Sequence, residues 1–179
     1  TLGVQFKTHS DTEVVIQAYI QWGIPSLSRF IGMFAFLLLD KKANLMYAVR
    51  DRAGVKPLYY YHHNNCILFG SELKCFHRHP LFTKEIDIDA LALYFQFGYI
   101  PAPHSIFKHT KKLLPGHYLS INLQTGSIDN FTYWNVLDHY QKPLINNIPL
   151  PDAIDKTETL LQSACNYRMV ADVPVGVFL

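Results

Sequence analysis

Cysteine and histidine are the residues here whose chemistry could go furthest, and their spacing limits what is open to them. Cys66, Cys75 and Cys165 form an odd, widely separated set. No Cys-x-x-Cys pair exists, so neither a disulfide framework nor a zinc ribbon is supported, and the set suits a reducing compartment. Nine histidines raise metal binding, above all His77-x-His79 and His62-His63. The first pair has no third ligand close in sequence and the second reads as part of a turn, so surface-loop histidines are the better reading. No Walker loop, Gly-x-Gly-x-x-Gly, His-Glu-x-x-His or Gly-x-Ser-x-Gly is present. Two carboxylates, Asp11 and Glu13, follow Ser10 at the head of an apolar run.

The elements that must position these groups are legible from periodicity. Ser10 and Glu13 have capping-box spacing, and Val14, Val15, Ala18, Tyr19 and Trp22 recur at helical intervals until Gly23 and Pro25 break the pattern. Met33 to Leu39 is nearly continuous in apolar residues and reads as a strand buried on both faces. It turns through Asp40 to Asn44 and returns over Leu45 to Val49. A second hairpin runs from Pro57 to Tyr61 and from Cys66 to Phe69 around His62-His63-Asn64-Asn65. Ser71 then caps a short helix through Glu72, Leu73 and Phe76. Asp87 or Asp89 opens another helix, ended by Gly98 and two prolines. A third hairpin joins Tyr118–Leu123 to Ile128–Tyr133. Residues 136–149 are polar, carry Asn and Pro, and read as a linker. Beyond them an amphipathic helix, Asp152 to Arg168, precedes an apolar strand from Val173 to Leu179. A helix and a buried strand after a linker open an α/β domain with a parallel sheet.

Composition sets the outer bounds. The 179 residues are 49% hydrophobic and 17% charged, against a usual charged share of about 25%, which excludes disorder for most of the length. Tyr 11, Phe 12 and Trp 2 supply a large core. A net charge of +2 without Lys/Arg clustering excludes a basic nucleic-acid module. The longest apolar run, Ile31 to Leu39, is about half of a bilayer span, and the opening Thr1–Lys7 does not read as a signal peptide. No membrane association is expected, and a cytoplasmic location is. With no initiator Met and a last strand that has no sheet, the chain reads as an internal fragment.

Several segments, taken together, resemble one family. Ser10-Asp11-Thr12-Glu13-Val14-Val15-Ile16, Phe30-Ile31-Gly32-Met33-Phe34-Ala35-Phe36, Arg50-Asp51-Arg52-Ala53-Gly54-Val55-Lys56-Pro57-Leu58-Tyr59-Tyr60 and Phe69-Gly70-Ser71-Glu72-Leu73-Lys74 resemble class II glutamine amidotransferases. Gly98-Tyr99-Ile100-Pro101-Ala102-Pro103, Lys112-Leu113-Leu114-Pro115-Gly116-His117-Tyr118, Tyr133-Trp134 and the stretch from Arg168 to Leu179 narrow the resemblance to the glutamine-hydrolysing asparagine synthetases. They follow the family's order over essentially the whole chain.

The resemblance implies an α+β fold. Residues 1–135 would be an incomplete αββα four-layer Ntn-hydrolase-like sandwich, 136–149 a linker, and 150–179 the start of an α/β PP-loop ATP pyrophosphatase-type domain. In the family an N-terminal Cys attacks the glutamine side-chain amide, and ammonia then aminates aspartate that ATP and Mg2+ have activated as an acyl-adenylate. That Cys, an Asn-Gly oxyanion loop and a carboxylate-gripping Arg are expected upstream of Thr1. A Ser-Gly-Gly-x-Asp-Ser pyrophosphate loop is expected after Leu179. No catalytic residue and no metal ligand is assigned within this chain, which as given should be inactive.

Two positions carry a role by resemblance. Asp11 matches the Asp that binds the glutamine α-amino group, and Leu179 matches the strand-end residue whose backbone contacts adenine. Set against these, Asp11 could simply favour a helix N-terminus, though Ser10 can cap and leave its carboxylate free. Arg50, Asp51, Lys56 and Glu72 lie in family signatures, but a structural role is the better reading of each; Arg50-Asp51, at a strand end, reads as fixing a turn through charge-assisted hydrogen bonds. Gly54, Gly98 and Gly116 read as turn residues. The Met33–Leu39 strand could border an ammonia passage, although core packing accounts for it. Expected partners are glutamine, aspartate and ATP, with a homodimer open. Two other functions stay in view: a relative that amidates a sugar or peptide carboxylate, and a non-catalytic interaction module.

Overall fold

A computed structural model describes residues 3–141, 148–171 and 173–176. Helix α1 (Asp11–Trp22) starts where Ser10 Oγ accepts from Thr12 N at 3.2 Å, and it ends where Gly23, at φ 61°, donates to Tyr19 O. The capping box is only half made. Glu13 does not return to Ser10; its carboxylate takes the N–H groups of Lys7 and Thr8 and the Thr8 hydroxyl instead. A 3-10 turn, Ile24–Arg29, leads to β1 (Ala35–Asp40), which pairs antiparallel with β2 (Leu45–Arg50). Asp40 shapes the turn between them, with Oδ1 accepting from the N–H groups of Lys42 and Ala43.

The second hairpin is β3 (Tyr59–His63) and β4 (Cys66–Gly70). Its loop is Asn64-Asn65 alone, both at positive φ, the backbone that a two-residue hairpin turn requires and that Asn tolerates. His62 and His63 therefore belong to the strand, where the sequence had suggested a turn. Ser71 caps nothing: Leu73–Phe76 is a 3-10 turn preceded by Glu72, with no side-chain cap. Helix α2 (Ile88–Phe97) does open on Asp87, whose Oδ1 accepts from Ala90 N, and closes on left-handed Gly98.

Strand β5 (Thr110–Lys112), which periodicity did not reveal, adds to the far side of β3, giving the order β4-β3-β5. The hairpin β6 (His117–Asn122) and β7 (Ile128–Thr132) joins the other sheet through β2, giving β1-β2-β6-β7. All pairs are antiparallel. The two sheets stack through Ala48, Leu119 and Ile121 on one side and Leu58, Tyr60, Ile67 and Phe69 on the other. On the opposite face of the four-stranded sheet, Tyr47, Val49, Phe36, Leu38 and Tyr118 receive Tyr19 of α1 and Leu27 of the 3-10 turn. Beyond the three-stranded sheet, the buried Tyr61 ring packs on Phe82, which in turn meets Phe76 and Phe107.

The expectation that Met33–Leu39 is buried on both faces does not hold. Leu37 and Leu39 are 47% and 51% exposed, because β1 is the outer strand of its sheet among the described residues. Continuous hydrophobicity reported the strand and not its depth.

The chain separates into two compact units, Thr1–Asn135 and Val136–Leu179. The second contains a short helix, α3 (Leu137–Tyr140), inside the stretch read as linker, and α4 (Leu150–Arg168). The apolar residues of α4, among them Ile154, Leu160 and Leu161, are exposed. Residues 173–176 lie in no strand and Val173 is exposed. The rest of the expected final strand, with Leu179, falls outside the described residues. No described helix is long and apolar enough to cross a membrane.

Candidate functional site

Within the first unit, α1 and the open side of β1 enclose a cleft of about 1260 Å³. Its walls are Val15, Ile16 and Tyr19 of α1, the run from Met33 to Lys42, and Lys56, Pro57 and Ser71. The lining is mainly apolar. Polar chemistry comes from the carboxylates of Asp11 and Asp40, the ammonium groups of Lys41, Lys42 and Lys56, and the Ser71 hydroxyl. A zwitterionic or short polar ligand can find opposite charges here against an apolar floor.

Asp11 stands at the edge of this cleft in the first turn of α1, exposed. Ser10 already serves the helix N–H at Thr12, so the Asp11 carboxylate is not consumed by capping; among the described residues it accepts from the Thr12 hydroxyl at 3.5 Å. Glu13, two residues on, differs sharply. The hydrogen bond from the Thr8 hydroxyl, then that from Lys7 N, holds its carboxyl below the usual range, so it works as an anchor for the incoming chain. Tyr19 crosses from α1 to donate to Asp40 Oδ2 at 2.8 Å.

Arg50 and Asp51 do not line the cleft. Asp51 is fully buried and accepts from the N–H groups of Phe34, Ala53, Val55 and Lys56. The Arg50 guanidinium donates to the carbonyls of Gly54, Lys56 and Leu113. Both fix the 51–56 turn, as their residue types suggested. Lys56 alone of that group reaches the cleft. Glu72 pairs with exposed Lys74 and lies away from it.

None of the three cysteines lines the cleft; Cys66 is buried, and Cys75 and Cys165 are exposed. Among the described residues no group of three His, Cys, Asp or Glu side chains could hold a metal ion. Three of the histidines, His63, His77 and His109, pack against other rings. His63 stacks on His109 with centroids 4.0 Å apart and 17° between planes, and His77 stacks on Phe82. Parallel imidazoles present faces to each other, and their lone pairs do not converge. The sequence reading missed Asp40, Lys41, Lys42 and Ser71 as cleft residues. The first three had been absorbed into a turn, and no local pattern in them marks a wall.

Two stacked antiparallel sheets with a helix on the outer face make a layered sandwich, and that layering has a likeness among solved structures. The likeness extends to the solved glutamine phosphoribosylpyrophosphate (PRPP) amidotransferase of B. subtilis, in complex with ADP and GMP. Its TM-score is 0.51 at 22% identity, covering 74% of this chain and 24% of that one. Residues 1–134 match the glutamine amidotransferase domain, and the chain belongs to that family.

Among curated proteins, "Putative asparagine synthetase (glutamine-hydrolyzing) 2" of Methanocaldococcus jannaschii is 40% identical over 98% of this chain and 34% of its own length. Asparagine synthetase (glutamine-hydrolyzing) 3 of Bacillus subtilis is 35% identical over 99% of this chain and 28% of its own. Amidase chry2 of Gibberella zeae is 33% identical over 98% of this chain and 25% of its own. The chain thus spans about a quarter to a third of the relatives it matches.

Proposed function

We propose that this chain is part of a glutamine-hydrolysing asparagine synthetase and supplies much of its glutamine-hydrolysing domain. One observation carries this reading. The amidotransferase domain match stops at residue 134, yet the likeness to asparagine synthetases runs over 98–99% of the chain. Residues 135–179 therefore resemble the synthetases too, beyond what a glutaminase domain alone requires. In this reading residues 1–135 are the αββα Ntn-type sandwich, 136–149 a linker and 150–179 the opening of a PP-loop ATP-binding domain.

A cysteine thiolate outside this chain attacks the side-chain amide carbon of glutamine. Ammonia leaves, a thioester forms, and water releases glutamate. Aspartate attacks MgATP, a second substrate, to give an acyl-adenylate and diphosphate; ammonia then displaces AMP and yields asparagine. A carboxylate resists ammonia until it carries such a leaving group, which is why two sites are needed. Asp11 is assigned to the glutamine α-ammonium group, and its free carboxylate at the cleft edge supports that role. Leu179 is assigned to adenine. The 179-residue chain alone is inactive in this reading, since none of its thiols lies at the cleft. The enzyme is cytoplasmic.

The test is the complete gene product, purified and supplied with glutamine, aspartate and MgATP. Equimolar glutamate and asparagine, with AMP, are expected. Glutamate without asparagine would transfer support to the second reading, amidation of another carboxylic acid, which the likeness to amidase chry2 favours.

A further inference from the structure

Asp51 is fully buried and does not itself line the cleft, yet two stretches of cleft wall hang from it. Its Oδ2 accepts from Phe34 N at 3.2 Å and from Lys56 N at 2.9 Å. Phe34 leads into β1, and Lys56 with Pro57 lines the cleft from the 51–56 turn. The backbone repeats the tie, since Asp51 N donates to Phe34 O at 2.9 Å. The remaining oxygen, Oδ1, takes Val55 N at 3.0 Å and Ala53 N at 3.2 Å, so the turn cannot slide along the carboxylate. From the other side Arg50 holds the carbonyls of Gly54 and Lys56. Three donors of this turn, the N–H groups of Ala53, Val55 and Lys56, are thus gathered on one buried carboxylate, and two of its acceptors on one guanidinium. Hydrogen bonds to a charged partner are stronger than neutral ones.

We propose that Asp51 is a positioning residue for the cleft: through one carboxylate oxygen it sets the separation of Phe34 from Lys56, and so governs how tightly the cleft holds its ligand. That the ligand is glutamine rests on the function proposed above. The positioning itself does not. Removal of the charge frees two wall segments together, and a ligand must then order them on binding, which weakens affinity without touching the reacting atoms.

The experiment is Asp51→Asn in the complete gene product. Asn keeps the shape but replaces one of the two acceptor oxygens with a donor, leaving two backbone N–H groups facing an NH2. The KM for glutamine should rise about tenfold with kcat within a factor of about three, the signature of lost ground-state binding. Asparagine formation from added ammonia should not change. Ile121→Val, in the inter-sheet core, serves as the control for destabilisation and should leave KM unaltered. Equal rises in KM for both variants, or a wild-type KM in Asp51→Asn, would overturn the proposal.

Amide hydrogen exchange on the complete gene product tests the same point without activity. Asp51→Asn should speed exchange at Phe34 and Lys56, and unchanged protection there would refute the positioning role even if the glutamine assignment failed. Should Asp51→Asn not fold, Lys56→Pro removes one N–H from Oδ2, with Lys56→Ala as its side-chain control. KM must then rise further for Pro than for Ala; equal values would overturn the proposal.

Discussion

The Tyr19 hydroxyl donates to Asp40 Oδ2 at 2.8 Å, tying the middle of α1 to the last residue of β1 at the rim of the cleft. The same carboxylate accepts from Ala43 N and Lys42 N. Ala43 N–H, then the Tyr19 hydroxyl, hold the Asp40 carboxyl below its ordinary value of 3.8. A carboxyl depressed in the folded state stabilises above the unfolded value and loses that contribution as pH falls through the folded one. Stability should therefore decline below about pH 4. In Asp40→Asn the decline should be shallower. Urea midpoints at pH 7 and pH 3 measure this, and the gap between wild type and variant should narrow in acid.

Tyr133 predicts the alkaline limb. Its hydroxyl donates to Arg50 O at 2.8 Å, and burial, then the charge of Asp51, push its pKa up from 10.0. Tyr19 moves the same way, through burial first and Asp40 second. A raised tyrosine is neutral when folded, so its contribution is complete below the unfolded value and is lost as pH rises beyond about 10. Tyr133→Phe should cost about 1 kcal/mol at pH 7, one buried hydrogen bond, and should soften the loss of stability between pH 10 and pH 11. Thermal melts across that range give both numbers.

Asp11→Asn separates the ligand role from the helix role. Ser10 retains the cap in this variant, so shape and helix start are preserved while the charge goes. A charge-assisted bond to an ammonium group contributes roughly 1.5–3 kcal/mol. Glutamine-dependent synthesis by the complete gene product should accordingly fall about 10- to 100-fold. Synthesis from ammonia should be almost unchanged, since ammonia bypasses the glutamine site. If both activities fall together with the melting temperature, Asp11 is structural.

What could be read in the sequence was local. The helix at Ser10, the Asp40–Asn44 turn, Asp87 as a cap and the β6–β7 hairpin all announce themselves through side chains that bond to backbone a few residues away. Depth and long-range pairing did not. Leu37 and Leu39 look like core because hydrophobicity cannot say whether a strand is central or outermost. Strand β5 is three residues, too short to show alternation, and exists only because Tyr59–Tyr61 offers it an edge. The cleft shows the same division. Asp11, singled out through the family pattern, lines the cleft, whereas Lys41 and Lys42 reach it only because β1 lies against α1, which no local spacing encodes.

Gly116 shows how little room the turn at its position leaves. It sits at φ +68°, and a Cβ there would lie 2.2 Å from Trp134 O. Its carbonyl accepts from Tyr133 N and its N–H donates to Asp51 O, so the obstacle is backbone held on both sides. Gly116→Ala combines left-handed strain with a clash that no rotamer relieves. A loss of about 3 kcal/mol or more is expected, read as a lowered urea midpoint with the slope unchanged.

The outer edge of β1 predicts how the isolated 179-residue chain behaves when concentrated. Phe34 O accepts from Asp51 N across the β1–β2 pair. By the alternation of an antiparallel ladder, the N–H and C=O groups of Ala35, Leu37 and Leu39 therefore point away from β2. Among the described residues no strand takes them up. The edge carries no proline or inward charge, and Leu37 and Leu39 are about half exposed on one face of it. Such an edge is a template for another strand, and a lysine placed on it is the usual deterrent. Leu37→Lys should thus suppress concentration-dependent light scattering of the chain. Because Leu37 is 47% exposed, its ammonium group can remain in water, and stability should shift by no more than about 0.5 kcal/mol. Lys substitution at Ala48, fully buried between the sheets, should do the opposite and increase scattering by unfolding the chain. Equal scattering from wild type and Leu37→Lys, at equal stability, would place the association elsewhere, with the exposed stripe of α4 the next surface to substitute.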